Sequence, residues 1–172
     1  MKLLSPALID AIVRGNTEIA LMLIKHGADV TGKTYEDRPA LDVALQWSHS
    51  TELLNLILDH GGSGNQSNNH WSPLIRVSRD GNEAFARILL ARGADPNGSA
   101  TMRGLALYSA VDNGHLEIAK LLLEAGADPT IKIADKMTVF DVAKRIKYKP
   151  MIQLLNDAIA KRRATISTLK LK

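Results

Sequence analysis

Five histidines, eighteen carboxylates and no cysteine are the side chains of this chain best suited to acid–base or metal chemistry. The histidines are His26, His49, His60, His70 and His115, and no two of them stand four apart around a glutamate, so the helical zinc-hydrolase pattern has no footing. His26 and His60 fall in the last turn of helical stretches, where a cation interacts favourably with the helix dipole. Asp29, Asp95 and Asp128 each follow Gly-Ala, a recurring turn position that points to a structural duty. No Gly-x-Ser-x-Gly elbow presents a nucleophilic serine. The run His60-Gly61-Gly62-Ser63-Gly64-Asn65-Gln66-Ser67-Asn68-Asn69 lacks the Lys-Ser/Thr and the helix start of a phosphate loop, so it reads as a loose polar loop. These residues predict no catalytic group, no metal and no cofactor. A hydrolase built around His60 or His70 stands last among the readings.

The residue types that remain are those that anchor protein contacts, Trp, Tyr and Arg. Where they sit depends on the elements that carry them, and those are clearest from Leu107 to Pro129. Leu107, Ala110 and Val111 mark one buried helical stripe; Asn113-Gly114 breaks it. Leu116, Ile118, Ala119, Leu121, Leu122 and Leu123 make a second, stopped by Gly126-Ala127-Asp128-Pro129. Two short helices cannot bury their own apolar faces, so they need neighbours. The neighbours recur at one spacing: Leu8, Leu41, Leu74, Leu107 and Phe140 are each 33 residues apart. Three places on come Ala11, Ala44, Val77, Ala110 and Ala143, small enough for close packing of one helix on the next. Such self-similarity marks a solenoid.

With these positions in view, the chain resembles the ankyrin repeat family, whose unit is a helix pair with a projecting β-turn of about 33 residues. The resemblance runs from about Ser5 to Ala160 and is nearly complete over Gly114-His115-Leu116-Glu117-Ile118-Ala119-Lys120-Leu121-Leu122-Leu123 to Gly126-Ala127-Asp128. It is looser from Gly15 to Asp29 and from Gly81 to Asp95. The family's Thr-Pro-Leu-His helix start is eroded throughout, and only Ser72 and Thr138 keep a hydroxyl able to cap a first helix. The fold class implied is all-α: an α-solenoid of helix-turn-helix pairs with β-turn fingers. Its five units span about 5–33, 34–66, 67–99, 100–132 and 133–163, followed by a basic tail, 164–172, expected to be flexible. The second helix of the fifth unit is expected to run from about Pro150 to Lys161. In the second unit the loop Trp47-Ser48-His49-Ser50 carries one extra residue, because the stripe after it falls one place late.

By the same resemblance, the function is non-catalytic binding of another protein in a concave groove lined by first helices and fingers. Counted from the 33-residue reference, solvent-facing groove positions are Val13, Gln46, Arg79, Asp112 and Arg145, then Arg14, Trp47, Asp80, Asn113 and Ile146, then Ser5, Arg38, Trp71, Gly104 and Met137. Both tryptophans fall in these rows. With Tyr35, Met102, Arg103 and Tyr108 they make a run of anchors on units two to four, and Arg38, Arg76 and Arg79 beside them favour a partner with acidic features. The full partner-binding set adds Gln46, Asp112, Asn113 and Arg145. A competing reading folds Trp47 under a finger and packs Trp71 on the glycine-rich loop.

Charge supplies the rival hypothesis. The net charge is +4, yet residues 141–172 hold nine basic and two acidic residues, leaving thirteen basic against sixteen acidic in the rest. Lys144, Arg145, Lys147, Lys149, Lys161, Arg162 and Arg163 form a basic end with three readings. It keeps the last unit wet, it contacts an acidic protein surface or the end of a peptide, or it binds nucleic acid or anionic membrane or acts as a nuclear import signal. Only Tyr148 is interleaved with those charges, which weakens a single-strand nucleic-acid reading. No apolar run has the length of a membrane span and the N-terminus does not read as a signal peptide, so a cytoplasmic protein, monomeric when free, is expected.

Overall fold

The computed structural model describes residues 6–34, 38–65, 72–98, 105–133 and 137–169, which contain ten helices. They form five pairs: α1 (Pro6–Val13) with α2 (Thr17–Lys25), α3 (Ala40–Trp47) with α4 (Thr51–Asp59), α5 (Pro73–Asp80) with α6 (Glu83–Ala91), α7 (Ala106–Asp112) with α8 (Leu116–Glu124), and α9 (Val139–Arg145) with α10 (Lys149–Leu169). Each first helix packs on the first helix of the next pair, and each second helix on the next second helix. The result is the all-α solenoid that the period predicts.

The spine of the stack is the reference row. Leu8, Leu41, Leu74 and Leu107 are all buried, each contributing about 1.5–3 kcal/mol. The alanine row, with Val77 in its third place, is buried behind it and keeps the helices close. Phe140 is only half covered, and Lys144 lays its ammonium 4.4 Å from the ring centre. At the other end Ile19 and Met22 of α2 stay exposed, whereas Phe85 and Ile118, which match Ile19 in units three and four, are buried. No preceding pair covers α2 among the described residues.

Turns are fastened from unit to unit. Asn65 accepts a hydrogen bond from the Asp95 backbone at 2.9 Å and donates to the Gly93 carbonyl at 3.3 Å. Asn97 does the same one unit on, with the Asp128 backbone and the Gly126 carbonyl. Asp29 and Asp128 hold the backbone and hydroxyl of Thr31 and Thr130, and Asp95 holds the backbone of Asn97. The recurring aspartates are thus turn-formers. Finger bases close through Thr34 donating to the Arg38 carbonyl and Ile133 to that of Met137, both at 2.8 Å.

Two local readings change and one holds. The glycine-rich run is not loose over residues 61–65: a Cβ on Gly62 would lie 2.7 Å from Ile57, and Asn65 is tied to the third unit. Residues 66–71 lie outside the described set. The extra residue of unit two is present; its second helix is capped by Ser50, 34 places after the Asn16 cap and 32 before Asn82. The last helix does not stop near Lys161 but continues to Leu169, taking the first six residues of the expected tail into the helix. The reason is at position 159. Gly27, Gly61, Gly93 and Gly126 close the other second helices in the left-handed region, and Ile159 stands at the same place in the fifth unit with no such preference.

Candidate functional site

A groove residue is placed by the first helix that carries it. On α3 the buried stripe Leu41, Ala44 and Leu45 turns the helix so that Gln46 and Trp47, at its end, face outward. Trp47 is 48% exposed, so it is not folded under a finger. Val13 and Ile146, from the same rows at the two ends of the stack, are also exposed.

The charged groove residues resolve into three groups. In the first, Asp42 is buried at 8% exposure between two arginines. Arg38 donates from Nε to Asp42 Oδ2 at 3.2 Å and from Nη2 to the Asp42 carbonyl and Gln46 Oε1. Arg76, reaching over from α5, brings its Nε to 3.2 Å from Asp42 Oδ1, close enough to attract but not aligned to donate. In the second, Arg79 Nε pairs with Asp80 at 3.0 Å. In the third, Asp112 accepts from Arg145 Nη2 at 2.9 Å and from the Tyr108 hydroxyl at 3.4 Å, joining units four and five. Asn113 donates to the Ser109 carbonyl at 2.8 Å and finishes α7. Tyr35, Trp71, Met102 and Arg103 lie outside the described residues.

Two consequences follow for the residues read from sequence. Arg38, Arg76 and Arg79 do not form one open basic patch, because Asp42 and Asp80 sit among them. Asp42 was missed as a groove residue; its spacing of four from Arg38 on a helix start was the available signal.

Three histidines serve structure, and His70 lies outside the described residues. His115 donates from Nε2 to the Arg79 carbonyl at 3.0 Å and lies where a Cβ on Gly81 would be 2.6 Å from its ring. His26 and His60 bond through Nδ1 to the carbonyls of Met22 and Leu56 in their own last turns. Among the described residues no three His, Asp or Glu side chains gather as a metal site, and no helix is long and apolar enough to cross a membrane.

At the basic end, Arg145 and Arg162 are paired with Asp112 and Asp128, the latter at 2.7 Å. Lys147, Lys149, Lys161 and Arg163 are exposed; Lys170 and Lys172 lie outside the described residues. The over-long α10 and α8 enclose a trough of about 580 Å³ lined by Leu123, Ala127, Pro129, Leu154 and Ala158. One carboxyl near this end is perturbed: Asp141 is held below the usual carboxylate range because it accepts from the backbone and hydroxyl of Thr138, each at 2.8 Å, with Lys144 adding to the effect. Thr138 and Asp141 together form the capping box that starts the helix.

Comparison with known proteins agrees with this geometry. A family model described as ankyrin repeats in three copies matches residues 41–133. An ankyrin repeat-containing protein of Treponema pallidum is 32% identical over 117 residues, 67% of this chain and 39% of the relative. The ankyrin repeat protein nuc-2 of Neurospora crassa is 33% identical over 67% of this chain and 11% of its own length. The mouse ankyrin repeat and SOCS box protein 16 is 29% identical over 77% of this chain and 24% of its own length. The chain therefore spans about two fifths or less of the length of these relatives. From the 33-residue spine, the stacked helix pairs and the family match, the chain belongs to the ankyrin repeat family.

Proposed function

We propose that this chain is a non-catalytic interaction module whose protein partner docks in the groove of units two to four and against the finger tips, with Trp47 as the principal anchor. Ankyrin repeats are general protein–protein interaction modules, and the groove is this chain's version of that surface. The observation that carries the reading is Trp47, half exposed on a helix end whose neighbouring charges are already paired to one another. Leaving about 100 Å² of indole in water forgoes roughly 2.5 kcal/mol that a partner can recover. The stacked helices are already ordered, so little conformational entropy opposes docking. A free chain of this kind is monomeric and forms its complex through rigid contact.

The test is affinity for a purified partner with Trp47→Ala. A loss of about fiftyfold is expected from the buried area, and an unchanged affinity removes the groove as the contact surface. The rival reading, an electrostatic binder of nucleic acid or anionic membrane, draws support from exposed Lys147, Lys149, Lys161 and Arg163. Four phosphate contacts would give a salt slope of about −3.6, roughly a hundredfold weakening from 50 to 200 mM salt. A Trp-anchored protein contact changes little over that range.

A further inference from the structure

Of the three groove arginines on units two and three, Arg76 is set apart by its place. It is two residues after the reference Leu74, where the neighbouring units have Val43, Ser109 and Val142, all buried. An arginine here inserts a charge between stacked first helices, in a slot that an apolar side chain fills more stably. Its side chain is 22% exposed and its Nε is buried. The only charge that meets it among the described residues is Asp42, whose carboxylate Arg38 also engages. Among the described residues the Arg76 side chain makes no hydrogen bond, so the donors Nη1 and Nη2 are uncommitted. Arg38 and Arg79, by contrast, are bonded to Asp42, Gln46 and Asp80.

We propose that Arg76 is the site at which a carboxylate of the partner is captured, so that the groove selects an acidic peptide segment with an apolar residue placed for Trp47. This rests on the groove reading above and names the chemistry of its occupant. A guanidinium with two free nitrogens matches a carboxylate in a two-pronged contact, and partial burial strengthens it. Asp42 then holds Arg76 in position while leaving its outer edge for the ligand. The net charge of the pair with a bound carboxylate is balanced by Arg38 as well, which explains why two arginines attend one aspartate.

A random-peptide phage library selected on the full chain, with binding constants measured on the synthetic peptides recovered, tests this. Expected are peptides with Asp or Glu fixed at one position, whose affinity falls about ten- to hundredfold when that residue becomes Asn or Gln. Arg76→Gln should produce the same loss and abolish the acidic preference; Arg76→Lys, which keeps the charge without the fork, should retain only part of the affinity. Asp42→Asn gives the opposite sign: it removes the competing carboxylate and should tighten acidic peptides, whereas a merely structural pair would weaken binding in both variants. Circular dichroism melts confirm that each variant is folded. Peptides that depend on Trp47 but show no acidic position, or that ignore Arg76→Gln, would overturn this proposal and leave the groove standing. Peptides unaffected by Trp47→Ala would overturn the groove reading and this one with it.

Discussion

Lys147 gives the sharpest quantitative prediction. Between the helices of units one, three and four the chain turns through Gly15, Gly81 and Gly114, all with φ between 72° and 78°. The fifth unit needs the same turn, and Lys147 makes it with φ 56°, the only such non-glycine among the described residues. An L-residue held in the left-handed region costs about 1–2 kcal/mol. Glycine removes that strain but loses more freedom on folding, about 0.5–1 kcal/mol. The balance predicts that Lys147→Gly stabilises by about 0.5–1 kcal/mol, or roughly 1–4 °C for a chain of this size. Lys147→Ala keeps the strain and should change little. The mirror substitution Gly114→Ala, where no atom lies within 4 Å of the added Cβ, should lose about 1 kcal/mol. Urea melts followed by circular dichroism read all three. If Lys147→Gly is no more stable than Lys147→Ala, the assignment of this turn as the equivalent of the glycine turns is wrong.

Four further outcomes follow. Gly81→Ala should cost more than Gly114→Ala, because its Cβ meets the His115 ring at 2.6 Å, and the excess should shrink in the Gly81→Ala, His115→Ala double variant; a double-mutant cycle on thermal stability measures it. Asn97→Ala should lose about 1–3 kcal/mol by freeing the Asp128 backbone and the Gly126 carbonyl, with amide exchange rising at the fourth turn. Ile118→Ala should cost about 2–5 kcal/mol while Ile19→Ala, at the exposed matching position of unit one, stays within about 1 kcal/mol in the same urea assay. Asp141 has its pKa lowered on folding, so its stabilisation is present above the ordinary carboxylate pKa and fades as pH falls through the folded value. Asp141→Asn should therefore destabilise at pH 7 and become indistinguishable from the parent in melts toward pH 3.

The spine was legible in the sequence because burial repeats. Leu8, Leu41, Leu74 and Leu107 occupy the same slot in each pair, so each reports the same packing to a reader who counts in steps of 33. The single inserted residue of unit two could be located for the same reason. What repetition does not encode is any one-off contact. Asp42 between two arginines depends on α3 and α5 lying side by side, and one unit's sequence carries no trace of its neighbour's side chain. The fastening of Asn65 to the third unit was hidden because its surrounding glycines and serines look like a free loop. The length of α10 was readable after the fact from the missing glycine at Ile159, a signal carried by an absence. Exposure of Trp47 was a genuine tie in sequence, since an aromatic at a helix end packs inward or outward according to what the next unit offers.

The most direct measurement of the central claim is site-directed photo-crosslinking with p-benzoylphenylalanine at position 47 in the groove, at Asn55 on the second-helix side, and at Arg163 on the basic end. The account predicts that position 47 yields a discrete protein adduct, competed by an excess of unlabelled chain, while positions 55 and 163 yield none at comparable level. Adducts from 163 alone, or from 55 in preference to 47, would show that the partner sits elsewhere on the stack.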